Sequence, residues 1–87
     1  MPDLFGLQER IIVERVIQLI SEVGSIGSVA PDTEIYEAGF SSVRVLELLL
    51  ALEEEFSIAI PDKEFMAART PQAIAALIER LREGQLA

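Results

Sequence analysis

The sequence predicts an all-α fold, a four-helix bundle of three long helices and one short one. Two segments, residues 4–23 and 42–56, carry apolar side chains at helical spacing, and a Thr-Pro pair at 70–71 marks the start of a third long helix. SIAI at 57–60 could form a strand, but a single strand has nothing to pair with. A length of 87 residues is typical of one domain, which we expect to cover residues 1–87.

The first predicted helix covers residues 4–23 and is amphipathic. Its apolar positions recur every three or four residues and are Ile12, Val13, Val16, Ile17, Leu19, Ile20 and Val23. Two glycines in GSIGS at 24–28 favour a C-cap followed by a loop. Residues 25–41 lack a sustained period, so we expect a long ordered loop with one short turn near residues 33–37.

The second predicted helix, from about Ser42 to Phe56, has two apolar stripes. The first suits the core and consists of Val45, Leu49, Leu52 and Phe56, flanked by Leu48. The second consists of Val43, Leu46 and Leu50 and is bordered by Glu47, Glu53 and Glu54. A surface helix of a small bundle does not need this apolar width. Either the helix is central and buries both stripes, or the second stripe with its acidic border binds a partner.

Two further helices are expected after the SIAI segment. IPDKEF predicts a short third helix with Pro61 or Asp62 near its N-terminus. Thr70 as N-cap and Pro71 at the first helical position predict the start of the last helix. Its buried stripe is Ile74, Leu77, Ile78 and Leu81, and Gly84 is expected to end it.

Composition excludes several classes of function. The chain has no Cys and no His, which removes the usual metal ligands, nucleophiles and general bases, so we expect neither a metal site nor an enzyme. Its net charge of −8 makes nucleic acid an improbable partner. Nine of the 15 acidic residues and two of the seven basic residues lie at positions 32–65, so the acid is concentrated around the second helix. A partner with a basic surface is favoured.

Location is predicted from what the sequence lacks. MPDLFGLQER has neither the basic segment nor the apolar segment of a secretory signal. No apolar run approaches the roughly 18 residues that a membrane span needs. We therefore expect a cytoplasmic protein without membrane insertion, and its strongly charged composition favours a monomer.

The serine pair in GFSSV is the candidate site for chemistry. Ser41 suits the N-cap of the second helix, and Ser42 then presents its hydroxyl at the first helical position. Gly39 permits a tight or left-handed backbone just before the helix. A phosphate ester on Ser42 would be stabilised by the helix dipole and the free N–H groups. Serine pairs at helix starts are common, however, and the local pattern alone more often indicates a simple cap.

The segment DTEIYEAGFSSVRVLELLLALEEEFSIAIPD resembles the centre of acyl carrier proteins. LELLLALEEEF and IPD are the specific parts of this resemblance, which extends over nearly the whole chain because the flanking helices agree in number and length. The resemblance implies a four-helix bundle of the acyl-carrier-protein type that bears 4′-phosphopantetheine on Ser42. A phosphopantetheinyl transferase would move the group from coenzyme A to the Ser42 oxygen, and the thiol of the arm would hold cargo as a thioester.

The resemblance also implies partners and their binding surface. Acyl- or aminoacyl-loading ligases or synthases with basic docking surfaces would bind Val43, Leu46, Glu47, Leu50, Glu53 and Glu54. The chain departs from the family pattern at Ser41, where Asp is usual, at Val43, where Leu is usual, and at Arg44, where an acidic or polar residue is frequent. These departures indicate a specialised carrier. The alternative is an unmodified acidic helical module that binds a basic partner through the second helix.

Overall fold

The computed structural model describes residues 4–86, with side chains described for residues 10–84. Within this range the chain forms four α-helices and no strand: α1 (Leu4–Gly24), α2 (Ser42–Phe56), α3 (Asp62–Ala67) and α4 (Pro71–Leu86). The prediction of an all-α bundle with three long helices and one short one is confirmed. The predicted domain, residues 1–87, also included residues 1–3 and 87, which lie outside the described residues.

One apolar core lies between the helices. α1 packs against both α2 and α4, and α3 packs against α4. The predicted stripes of α1 and α4 and the first stripe of α2 face this core; its most deeply buried side chains include Val16, Ile20, Leu48, Leu52, Ile74 and Ile78. Val23, Phe56 and Leu81 are half-buried at its margin. Ile58 and Ile60 of the SIAI segment are also buried, so this segment contributes to the core as a loop.

The end of α1 lies where the glycines predicted it, but a serine takes the left-handed conformation. Ser25 has a φ of 53°. Ser21 closes the helix end, because its hydroxyl donates to the Ile26 carbonyl at 2.6 Å and its own carbonyl accepts from the Ile26 N–H at 3.3 Å. Gly24 instead allows the Phe40 ring to pack closely against the end of α1. A Cβ atom there would lie 2.6 Å from Cε2 and 2.7 Å from Cδ2 of Phe40.

Arg69, between α3 and α4, holds the loop of residues 25–41 in place. Its carbonyl accepts a hydrogen bond from the Ile35 N–H at 3.0 Å. Its guanidinium pairs with Glu34 and lies 4.6 Å from the centre of the Tyr36 ring. The hydrogen bond with Glu34 raises the pKa of Arg69. The turn within the loop covers residues 35–39 rather than the predicted 33–37, and a second turn lies at 31–32.

The prediction for the start of α4 is confirmed and the prediction for its end is wrong. Thr70 caps the helix, because its Oγ1 accepts from the Ala73 N–H at 3.1 Å, and Pro71 is the first helical residue. α4 passes through Gly84 and continues to Leu86. A glycine inside a helix costs only about 1 kcal/mol relative to alanine, which a packed helix tolerates.

None of the helices in the described part of the chain combines the length and the apolar character that a membrane span requires.

Candidate functional site at the start of α2

The loop turns sharply before it enters α2. Gly39 has a φ of 101°, a conformation that other residues adopt only with strain, and a Cβ there would contact nothing within 4 Å. The turn is closed by three backbone hydrogen bonds, from Ala38 N–H to Glu34 O at 3.1 Å, from Gly39 N–H to Tyr36 O at 3.3 Å and from Phe40 N–H to Ile35 O at 3.1 Å. Phe40 is then buried in the core. Its anchored ring fixes where the following serines emerge.

Ser41 is the N-cap residue of α2. Its backbone is extended, with φ −78° and ψ 157°, and its hydroxyl oxygen accepts from the Arg44 N–H at 3.3 Å. Its carbonyl accepts the first helical hydrogen bond, from the Val45 N–H at 3.1 Å. The side chain of Ser41 is therefore already engaged in holding the first turn.

Ser42 is the first residue of α2 and is exposed. Its hydroxyl makes no hydrogen bond with any residue that the structure describes. The N–H groups of the first helical positions have no acceptor within the helix, so the positive end of the helix dipole lies beside this hydroxyl. The Ser42 oxygen is thus accessible and in a position that favours a negatively charged substituent.

An apolar strip begins one residue beyond Ser42. We define it by Val43, Leu46 and Leu50, which are 71%, 62% and 65% exposed. The alternative that α2 buries both of its stripes is therefore wrong. Exposed aliphatic side chains on adjacent turns of one helix are typical of a surface that a partner covers.

The three glutamates predicted to border the strip have different environments. Glu47 pairs with Arg44, its Oε2 lying 2.9 Å from Nη1, and both side chains are exposed. Glu54 is exposed and pairs with no described residue. Glu53 is half-buried, and its Oε2 accepts from the Ile60 backbone N–H at 2.9 Å. Sequence reasoning missed this contact, which holds the loop after α2 and makes Glu53 a structural residue.

Glu53→Ala is expected to lower the free energy of unfolding by about 1–3 kcal/mol, because the Ile60 N–H loses its partner in a half-buried place. Glu54→Ala is the matched control and should change stability by less than about 0.5 kcal/mol. Urea denaturation followed by circular dichroism measures both variants. Equal stability of the two variants would contradict the structural role of Glu53.

Glu55, the last of the three consecutive glutamates, belongs to the contact between α1 and α2. Its Oε1 lies 2.8 Å from Nη2 of Arg15. The hydrogen bond from Arg15 lowers the pKa of Glu55 below its ordinary value and raises the pKa of Arg15. Because the folded-state pKa of Glu55 is depressed, the pair stabilises the folded state at pH values above the ordinary glutamate pKa. This contribution is lost as the pH falls through the folded-state pKa. The Glu55 carboxylate is thus paired with Arg15 within the bundle.

A helical bundle that exposes an unengaged hydroxyl at a helix start, beside an apolar strip, is suited to carry a group on which other proteins act. Comparison with known proteins identifies the family. The family model described as a phosphopantetheine attachment site matches residues 14–78.

Similar proteins include acyl carrier proteins from different organisms. The acyl carrier protein of Helicobacter hepaticus is 35% identical over 78 residues, which cover 88% of this chain and 95% of that protein. The mitochondrial acyl carrier protein of Dictyostelium discoideum is 38% identical over 61 residues, 68% of this chain and 51% of that protein. A hybrid PKS-NRPS synthetase of Aspergillus niger is 33% identical over 67 residues, 77% of this chain and 2% of that protein.

The chain therefore belongs to the acyl carrier protein family. It spans about half of the Dictyostelium protein and a small part of the synthetase, but nearly all of the Helicobacter protein. Family membership confirms the predicted cofactor, covalent 4′-phosphopantetheine, and the prediction that the domain is a carrier and not an enzyme. The start of α2 fits this group, because it offers the exposed, unengaged hydroxyl of Ser42 at the positive end of the helix dipole.

Proposed function

We propose that Ser42 Oγ is the attachment atom of the phosphopantetheine group, and that the chain presents acyl or aminoacyl groups to partner enzymes. One observation carries the assignment: of two adjacent exposed serines, Ser41 uses its oxygen to cap α2, whereas the Ser42 hydroxyl is free. Modification of Ser41 would compete with the cap, and modification of Ser42 leaves it intact. The phosphate on Ser42 would also lie beside the positive end of the helix dipole.

The loading step requires a phosphopantetheinyl transferase and coenzyme A. The Ser42 oxygen forms a bond to the phosphorus next to the pantetheine, the bond from that phosphorus to the bridging oxygen of the pyrophosphate breaks, and adenosine 3′,5′-bisphosphate leaves. The hydroxyl proton passes to a base of the transferase. Once attached, the group supplies a terminal thiol that can hold cargo as a thioester.

The apolar strip is the proposed contact with loading ligases or synthases. Val43, Leu46 and Leu50 would enter an apolar cleft of the partner, and Glu54 would pair with a basic residue at its edge. Glu47 could contribute charge after release from Arg44, while Glu53 contributes through the fold. The predictions of a monomer and of a cytoplasmic location remain predictions; one relative is named as mitochondrial. Family membership favours this function over the unmodified interaction module.

Intact mass spectrometry tests the proposed function. The chain is incubated with coenzyme A and a broad-specificity transferase, and the expected result is a mass gain of one phosphopantetheine. Fragmentation should place the group on Ser42 and not on Ser41. A gain on Ser41, or no gain with a transferase shown to be active on another carrier, would contradict the proposal.

A further inference from the structure

The charge of α2 is distributed unevenly along its length. Near Ser42, the Arg44 guanidinium and the Glu47 carboxylate form an ion pair, so this end of the exposed face is close to neutral. At the far end, Glu54 is exposed and pairs with no described residue. Along α2 itself, a partner therefore meets the apolar strip and the Arg44 guanidinium near Ser42, and uncompensated acid only at the far end. The net charge of the chain, −8, does not by itself predict this uneven distribution of charge along α2.

Arg44 retains hydrogen-bonding capacity toward a partner. Among the described contacts of its side chain, Nη1 alone has a partner, the Glu47 carboxylate at 2.9 Å. Its side chain is about half exposed, at 48%. A guanidinium has five N–H donors in a planar fork that matches a carboxylate, so the remaining donors can bind a second carboxylate without release of the first.

We infer that Arg44 is a specificity-determining residue, which selects partner surfaces that place a carboxylate, and not a Lys or Arg, beside Ser42. This inference rests on the proposed function of Ser42. A basic side chain at that point would face the guanidinium, and like charges at close approach disfavour binding. A basic residue of the partner is better suited to the Glu54 end of α2, where the exposed carboxylate pairs with no described residue. The partner surface would therefore be apolar in its centre, acidic near Ser42 and basic at the far end.

The test measures kcat/KM for phosphopantetheine transfer by a broad-specificity transferase whose docking surface is basic, at low salt. Wild type is compared with Arg44→Gln and Arg44→Glu. Over roughly 6 Å of water, loss of one like-charge repulsion gives an expected gain of about threefold for the neutral variant, and the added attraction raises the gain to about tenfold for the reversed one. Arg82→Glu, a change of equal charge at an exposed position of α4, is the matched control and should gain less than about twofold. High salt should reduce all these differences.

Charge reversal in the transferase tests the complementary half of the inference. Basic residues of its docking surface are replaced by Glu one at a time. One of these transferase variants carries its Glu at the position that faces Arg44. This variant should load the wild-type chain faster than it loads the Arg44→Glu chain. The unaltered transferase is expected to show the opposite order. This reversal would identify the contact directly.

The outcomes separate the inference from the function on which it rests. Equal gains for Arg44→Glu and Arg82→Glu would overturn the inference and leave the Ser42 assignment intact. The same conclusion follows if no transferase variant reverses the order. Absence of loading in every variant, wild type included, would overturn the proposed function and the inference with it.

Discussion

Ser42→Ala is expected to abolish phosphopantetheine loading completely. The substitution removes the oxygen that would form the phosphodiester and leaves the cap of α2 untouched, because the cap is made by Ser41. Intact mass after incubation with coenzyme A and transferase is the measurement, and circular dichroism should show an unchanged helical fold. A mass gain in this variant would contradict the assignment of the attachment site.

Ser41→Ala is the informative control because it removes the neighbouring hydroxyl. Loss of an N-cap serine costs about 1 kcal/mol of stability, so this variant should unfold at lower denaturant concentration. It should nevertheless gain the mass of one phosphopantetheine. Loss of loading in Ser41→Ala with loading retained in Ser42→Ala would assign the group to Ser41.

The helices were predictable from sequence because periodicity and local signals determine them. Thr70 and Pro71 fix the start of α4 through a hydroxyl cap and a preset φ, both of which are properties of neighbouring residues. The end of α4 was not predictable from Gly84, because a glycine weakens a helix without terminating it. Likewise, the left-handed residue after α1 is Ser25, whereas Gly24 accommodates the close approach of Phe40, a tertiary contact that the local sequence does not show.

The environment of the predicted site residues was only partly predictable. The pairing of Arg44 with Glu47 follows from their spacing of three residues on one helix. The hydrogen bond from Ile60 to Glu53 depends on the path of the loop after α2, which no periodicity specifies. The exposure of the second stripe could not be decided either, because the width of an apolar face does not show which neighbours cover it. α1 contacts α2 along the first stripe and leaves Val43, Leu46 and Leu50 exposed.

Phe40→Ala is expected to lower the free energy of unfolding by about 3–5 kcal/mol, because it removes a buried aromatic ring and leaves a cavity. This is a large share of the roughly 5–15 kcal/mol that stabilises a typical domain. Urea denaturation measures the loss, with Ile11→Ala as the control, since Ile11 is 57% exposed and should change stability by less than about 1 kcal/mol. Similar losses in the two variants would show that Phe40 does not anchor the segment before Ser41.

The effect of Gly24→Ala on the free energy of unfolding is expected to change sign when Phe40 is replaced by Ala. In wild type, the added methyl group would lie 2.6 Å from the Phe40 ring, and overpacking of this kind costs about 1–3 kcal/mol. In Phe40→Ala the ring is absent and the next atom, Cγ1 of Ile26, is 3.6 Å away, an ordinary contact. There the better helix propensity of alanine should stabilise the protein by up to about 1 kcal/mol. A double-mutant cycle measures this coupling. Destabilisation by the same amount in both backgrounds would mean that the contact between Gly24 and Phe40 does not position the chain that leads to Ser42.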